Sequence, residues 1–240
     1  MEVAAAGMSV TLRVYVAESS VTLSNFQVDL TSTQAAVTWD SSQQIGQTGW
    51  LVSYTVNGVA LNDTLTCTEN SVKLSPVVPG AVYELTVQKA DGSAVLGGTF
   101  SFTAASADTF SCTYKNYTVT ADNMTFRMCK TPSNKNWDRY DLKSSDYTTT
   151  FSAGQKASFL VKLDKSYGTS SDTIVTLFVI SDSEGNLVSV SSTSSTWTNM
   201  WYKYYCELDI PSLPDDPGEY TVSVYFNGQL ANTQEFTIVS

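Results

Sequence analysis

Residues 79–87 read Pro79-Gly80-Ala81-Val82-Tyr83-Glu84-Leu85-Thr86-Val87, and residues 217–224 repeat the pattern as Pro217-Gly218-Glu219-Tyr220-Thr221-Val222-Ser223-Val224. Proline fixes φ and glycine tolerates positive φ, so each Pro-Gly pair predicts a corner. The tyrosine then enters a strand whose alternate residues face a core. In β-sandwiches a tyrosine at such a corner hydrogen-bonds to nearby backbone. Two copies of the pattern therefore predict two sandwiches.

The residues around the first corner read as a series of strands. The extended segments are 9–17, 21–30, 34–39, 50–56, 59–68, 70–74, 83–90 and 97–103. Asn57-Gly58 and Asp91-Gly92 between them predict tight hairpin turns, because both dipeptides tolerate positive φ. Trp39 stands where a sandwich core places an anchoring aromatic side chain.

This first half resembles a fibronectin type III domain over residues 20–104. The resemblance rests on Thr38-Trp39, on the strand at 50–56, and on the spaced set Leu74, Pro76, Pro79, Gly80, Tyr83, Leu85 and Val87. It implies an antiparallel β-sandwich over these residues.

The second half also reads as strands, at 112–120, 124–130, 157–163, 173–181, 187–191, 197–210, 220–226 and 233–239. The segment 173–181 is the most apolar, which predicts a central strand. The final Pro-Gly-x-Tyr corner, strand, Asn227-Gly228 turn and strand resemble the last hairpin of bacterial immunoglobulin-like surface modules. Together the two halves predict an all-β chain of two tandem antiparallel β-sandwiches, fibronectin type III-like and then immunoglobulin-like.

These patterns divide the chain into four parts. Residues 1–19 are an N-terminal strand or the remnant of an upstream domain, and 20–104 are the fibronectin type III-like sandwich. Residues 104–108 are small and polar, which places a linker at 105–111, and 112–240 are the immunoglobulin-like sandwich.

The charge and composition exclude several functional classes. The chain has 13 Lys and Arg against 23 Asp and Glu, a formal net charge of −10, and no histidine. A nucleic-acid partner is not expected, because no basic stripe is present to neutralise phosphates. The absence of histidine excludes Ser-His-Asp and Cys-His catalysis within the chain. No apolar run reaches the ~18 residues of a membrane helix, so we expect no direct membrane insertion.

Aromatic residues are the best candidates for a ligand site. Trp197, Trp201 and Tyr205 recur every four residues, and the last two share the strand face opposite Cys206, Leu208 and Ile210. Flat exposed rings stack on sugars and are enriched at protein interfaces. The alternative, packing across strands or beneath a loop, stays open.

A second aromatic pair occurs in the irregular, turn-rich segment 131–149. Trp137 and Tyr140 form a weaker candidate site there, with loop anchoring as its alternative.

The four cysteines contain no CxxC pair, so a zinc knuckle is not expected. Cys112 and Cys129 flank two strand-like runs, and two alternatives stay open for them, a disulfide or buried thiols.

Carboxylates are abundant but lie mostly in turns. A glycosidase would need two of them converging in one cleft. The segment Asp182-Ser183-Glu184-Gly185-Asn186 departs from the spacing of calcium loops and reads first as a hairpin turn.

We therefore expect a non-catalytic module with no cofactor and no metal. From the two resemblances it is a spacer or an adhesive, ligand-binding unit of a secreted or cell-surface bacterial protein, with a glycan or a host or cell-surface protein as partner. The alternative is a carbohydrate-binding accessory module of a secreted glycan-degrading enzyme.

Overall fold

The computed structural model describes residues 2–5, 8–11, 20–43, 49–114, 117–131, 147–165, 173–196 and 205–240. These residues form strands and turns, with one short 3-10 turn, so the predicted all-β fold of two sandwiches is confirmed. Near the N-terminus, β1 (Glu2–Ala5) and β2 (Met8–Thr11) pair as an antiparallel hairpin. Among the described residues no helix is long and apolar enough to cross a membrane.

The first sandwich consists of two four-stranded sheets. Its strands are β3 (Val21–Leu30), β4 (Ala35–Ser41), β5 (Trp50–Val56), β6 (Val59–Cys67), β7 (Ser71–Leu74), β8 (Val82–Lys89), β9 (Val95–Leu96) and β10 (Thr99–Thr103). One sheet has the order β7-β4-β3-β9 and the other β10-β8-β5-β6. All neighbours are antiparallel except β3 and β9. The predicted strands at 21–30, 34–39, 50–56 and 59–68 are confirmed within two residues.

A row of aromatic rings, here called the aromatic stack, runs through the core between these sheets. It comprises Trp39, Phe26, Phe100, Phe102, Tyr83 and Tyr54, with neighbouring ring centroids 5.2–6.2 Å apart. Trp50 meets Trp39 edge to face at 6.1 Å, and its indole N–H donates to Asn70 Oδ1. Trp39 is 3% exposed and Trp50 is fully buried, which confirms the expected tryptophan anchor.

The first tyrosine corner has the predicted geometry. The hydroxyl oxygen of Tyr83 accepts a hydrogen bond from the backbone N–H of Val78 at 2.7 Å, inside the core. Gly80 has a φ of +74°, as the corner requires. The corner therefore connects the segment before β8 to the core through one buried polar contact.

The second sandwich has a three-stranded and a five-stranded sheet. Its strands are β11 (Ser111–Tyr114), β12 (Tyr117–Thr120), β13 (Met124–Lys130), β14 (Thr150–Ser152), β15 (Ala157–Leu163), β16 (Thr173–Asp182), β17 (Leu187–Thr196), β18 (Tyr205–Ile210), β19 (Gly218–Phe226) and β20 (Gln229–Val239), and the 3-10 turn spans Ala121–Asn123. The sheet orders are β13-β15-β18 and β14-β20-β19-β16-β17. The pair β14–β20 is parallel. The segment 112–120, predicted as one strand, is instead the hairpin β11–β12, in which Cys112 faces Val119.

Strand β16 lies inside the five-stranded sheet, between β19 and β17, which confirms the central position predicted from its apolar run. Ile174, Phe178 and Ile180 face the core of the second sandwich. Leu177 and Val179 face the other way and are also buried. A strand buried on both faces reads as a near-continuous apolar run, and residues 174–180 show one that only Thr176 interrupts.

The second tyrosine corner differs from the first in two ways: its hydroxyl donates instead of accepting, and its side chain is less buried. Tyr220 is half-buried, and its hydroxyl donates to the backbone carbonyl of Asp216 at 2.9 Å. Its ring stacks on Phe236 at 5.6 Å. Both corners are confirmed, but only Tyr83 satisfies a buried backbone donor.

Candidate functional site

The aromatic site residues proposed from the sequence cannot be placed by side chain. Trp197, Trp201, Trp137 and Tyr140 lie outside the described residues, so these assignments stay predictions. Tyr205 begins β18, where its backbone pairs with Lys162, but its side chain lies outside the description. The alternation predicted for this strand is confirmed at Leu208 and Ile210, which are buried in the second core.

The structure does not contain the Cys112–Cys129 disulfide. Both residues carry thiols: Cys129 is buried, as the thiol alternative predicted, whereas Cys112 is half-buried. The Cys129 thiol donates to the backbone carbonyl of Ser158 on the neighbouring strand β15, at 3.5 Å. Cys112 instead packs against the second core from the β11–β12 hairpin.

The acidic segment 182–186 forms the hairpin turn between β16 and β17, as predicted. Asp182 Oδ1 accepts hydrogen bonds from the backbone N–H groups of Glu184 and Asn186 at 2.9 and 2.8 Å. The Asn186 amide donates to Asp182 Oδ2 and to Glu184 Oε2. The carboxylates thus accept hydrogen bonds from donors of the turn itself.

These contacts predict an acid-sensitive turn. The hydrogen bonds from the Asn186 side chain and from the turn amides lower the pKa of Asp182. A carboxyl whose pKa is lowered on folding stabilises the fold above its unfolded pKa of about 3.9, and this contribution is lost as the pH falls through the folded value. Asp182→Ala should therefore lower the urea midpoint at pH 7 and have a smaller effect below about pH 3. A pH-independent effect would contradict this role.

One cleft brings two carboxylates together on the outer face of the second sandwich. It has a volume of about 450 Å³, and Glu219 of β19 and Glu235 of β20 both line it. The two residues are diagonal neighbours, because Glu219 pairs with Thr237 and Glu235 with Thr221. Both side chains are exposed. The cleft therefore offers solvated hydrogen-bond acceptors.

A contact between the two sandwiches is also buried. Leu177, Val179 and Leu187, on the outer face of the five-stranded sheet, are buried and belong to the same hydrophobic cluster as the first sandwich's core. Val190 and Tyr225 pack at its margin, and burial raises the pKa of the Tyr225 hydroxyl. We call these five residues the covered face. Each fully buried Leu or Val contributes roughly 1.5–3 kcal/mol, so this contact is a substantial part of the fold.

The connection between the sandwiches is short and held at both ends. On the first side, the N–H of Gly80 donates to the carbonyl of Ala105 at 2.9 Å. On the second side, Leu230 exchanges two backbone hydrogen bonds, donating to Asp108 and accepting from Phe110, both at 2.8 Å. Only Ser106 and Ala107 lie between these two attachments, so little of the connection is free to change direction.

The Asn227-Gly228 turn of the second sandwich touches the first. Gly228 has a φ of +81°, and a Cβ added to it would overlap the backbone carbonyl of Ser32 in the β3–β4 turn. The Asn227 side chain and backbone exchange hydrogen bonds with the backbone of Val175, at 3.0 and 2.9 Å. Sequence reasoning identified this dipeptide as a hairpin turn and missed its second role at the contact.

The other Asn-Gly turn has the same local geometry without that contact. Asn57 exchanges the equivalent bonds with Val82, both at 2.8 Å. Gly58 has a φ of +80°, and nothing lies within 4 Å of a Cβ added there. In the two turns only Gly228 is also constrained by a neighbouring sandwich.

Comparisons with known proteins show similarity only to solved structures. No family model matches the sequence, and no curated protein matches it. The FN1-FN3 domains of chicken CNTN1 match 100% of this chain and 76% of their own, at 11% identity and a TM-score of 0.32. A glycosyl hydrolase family 2 member from Bacteroides cellulosilyticus matches 86% of this chain at 14% identity and a TM-score of 0.27. A beta-glycosidase from Bacteroides vulgatus matches 94% of this chain, at 10% identity and a TM-score of 0.24. This chain spans about a quarter of each bacterial enzyme, at 23% and 25% of their lengths.

Proposed function

We propose that this chain is a non-catalytic module of a secreted or cell-surface bacterial protein, in which a fibronectin type III-like and an immunoglobulin-like sandwich act together as a rigid spacer. The observation that carries the proposal is the covered face. Two domains of one chain ordinarily move relative to each other unless the interface between them is large and apolar. Here Leu177, Val179 and Leu187 are buried in a cluster continuous with the first core.

The chemistry of the described surface supports a non-catalytic role. The carboxylates in its cleft at Glu219 and Glu235 are solvated. The acidic turn at 182–186 is held together by its own hydrogen bonds. What the module presents to its surroundings is therefore two sandwiches joined through a buried apolar contact.

A scattering experiment tests the spacer directly. The solution scattering profile of the intact chain is expected to fit a single arrangement of the two sandwiches. A short Gly/Ser insertion between Ser106 and Ala107 should leave that profile nearly unchanged, because the covered face and not the connection sets the arrangement. Such an insertion should lower the free energy of unfolding only slightly, because each doubling of loop length costs about 0.6 kcal/mol.

A matched control separates the two sources of rigidity. The same insertion is combined with Val190→Asp, which places a charge at the margin of the covered face. This double variant is expected to need an ensemble of arrangements to fit its profile. If the insertion alone already broadens the profile, the connection and not the contact holds the sandwiches, and the rigid-spacer proposal fails.

A further inference from the structure

An asparagine that is followed by a glycine is the least hindered setting for one reaction of the peptide main chain. The glycine nitrogen attacks the side-chain carbonyl carbon of the asparagine, and a glycine has no side chain to obstruct that approach. The chain has two such dipeptides, Asn57-Gly58 and Asn227-Gly228. Each forms a hairpin turn, between β5 and β6 in the first sandwich and between β19 and β20 in the second. One site is therefore an internal reference for the other.

The two asparagine side chains are held in the same way. The Oδ1 atom of Asn57 accepts a hydrogen bond from the backbone N–H of Val82 at 2.8 Å. The Oδ1 atom of Asn227 accepts one from the backbone N–H of Val175 at 3.0 Å. A donor at this oxygen stabilises the negative charge that develops there when a nucleophile attacks the adjacent carbon. The hydrogen bonding of the side chain thus favours the reaction at both turns.

The surroundings of the two glycines differ. Gly58 is exposed, and nothing lies within 4 Å of a Cβ added to it. Gly228 is buried, and a Cβ added to it would overlap the backbone carbonyl of Ser32 in the first sandwich. The peptide must rotate out of its turn geometry to bring the glycine nitrogen onto the asparagine side chain. That movement is open at Gly58 and blocked at Gly228.

We propose that Asn57 is a site of spontaneous deamidation in the folded chain, and that the contact between the sandwiches protects Asn227 from the same reaction. The Gly58 nitrogen loses its proton to solvent and forms a bond to Cγ of Asn57. The Cγ–Nδ2 bond breaks, and the side-chain nitrogen takes up a proton and leaves as ammonia. Water then opens the five-membered imide at either carbonyl, which leaves aspartate or isoaspartate at position 57. The reaction is a hydrolysis and needs only water.

The products change the first sandwich in two ways. Both add a carboxylate, which lowers the formal net charge of −10 by one. Isoaspartate also adds a methylene group to the main chain, which disrupts the two hydrogen bonds that Asn57 exchanges with Val82. The reaction therefore loosens the end of the β5–β6 hairpin beside β8 and leaves the covered face intact. This inference goes beyond the spacer role, and the chemistry at Asn57 does not depend on that role.

Peptide mass spectrometry of the intact chain after incubation at mildly alkaline pH tests the proposal. The peptide that contains Asn57 is expected to convert from amide to acid at least about tenfold faster than the peptide that contains Asn227. In guanidinium chloride the two should react at similar rates, because the dipeptides are identical and the fold no longer separates them.

Gly58→Ala is the variant control. Its methyl group obstructs the approach of the nitrogen, so it should slow conversion at Asn57 and leave Asn227 unchanged. A folded chain in which Asn57 keeps its amide, or in which both asparagines convert at the same rate, overturns the proposal. Protection of Asn227 that persists in guanidinium chloride also overturns it, because the contact with Ser32 would then not be the cause.

Discussion

Gly228→Ala is expected to destabilise the chain by about 2–5 kcal/mol, and Gly58→Ala by only about 1–2 kcal/mol. Both glycines follow an asparagine with a φ of +49°, and both have φ near +80°. Alanine at either site adds the cost of a left-handed backbone, about 1–2 kcal/mol. At Gly228 the added methyl also overlaps the Ser32 carbonyl, and relieving such overpacking costs about 1–3 kcal/mol more.

The difference between the two variants measures the contact between the sandwiches. Urea denaturation of both, followed by far-ultraviolet circular dichroism, gives that difference directly. Scattering adds an independent reading, because Gly228→Ala moves the sandwiches apart if they stay folded, whereas Gly58→Ala leaves their arrangement unchanged. Equal losses of stability with unchanged scattering would show that Ser32 and Gly228 do not touch in solution.

Tyr83→Phe is expected to cost about 1–3 kcal/mol, because it leaves the buried N–H of Val78 without an acceptor. The phenyl ring keeps its place in the aromatic stack, 5.2 Å from Phe102, so the loss reports the hydroxyl alone. Tyr220→Phe is the matched control and should cost less than about 1 kcal/mol, since water can replace the hydroxyl at the exposed carbonyl of Asp216. Denaturation midpoints of the two variants test this asymmetry, and similar losses would contradict it.

The dependence of the free energy of unfolding on pH above about 10 gives a further check on Tyr83. Burial raises its pKa to about 12, against the opposing effect of the Val78 hydrogen bond. A raised folded pKa means that the contribution is complete below the unfolded value near 10 and is lost as the pH rises towards 12. Tyr83→Phe should therefore flatten the loss of stability over that range. If the variant loses stability with rising pH as the unmodified chain does, another group causes that loss. Tyr225 is an example, because burial also raises its pKa.

Local patterns predicted most strands and both corners because each is set by a few adjacent residues. The Pro-Gly-x-Tyr corners, the Asn-Gly turns and the alternation of Leu208 and Ile210 are of this kind. The apolar run of β16 also predicted a position in the sheet, because a strand without alternation is expected to lie between two others.

What the sequence could not supply is the identity of neighbours brought together by the whole fold. Nothing in residues 173–181 says that the first sandwich covers Leu177 and Val179. The dipeptides at 57–58 and 227–228 are identical, so only the fold distinguishes Gly228 from Gly58. The sequence could not determine cysteine pairing for the same reason. The separation of Cys112 and Cys129 along the chain does not give the distance between their elements in space.

The covered face also has a consequence for synthesis in the cell. Domains generally fold as units during translation, with the N-terminal one first. All strands of the first sandwich precede β16 in the chain, so its core can close before Leu177 and Val179 are made. The apolar outer side of the later sheet therefore finds its cover already folded when it emerges. The order of the two sandwiches along the gene thus limits the time during which a nascent chain exposes this surface to aggregation.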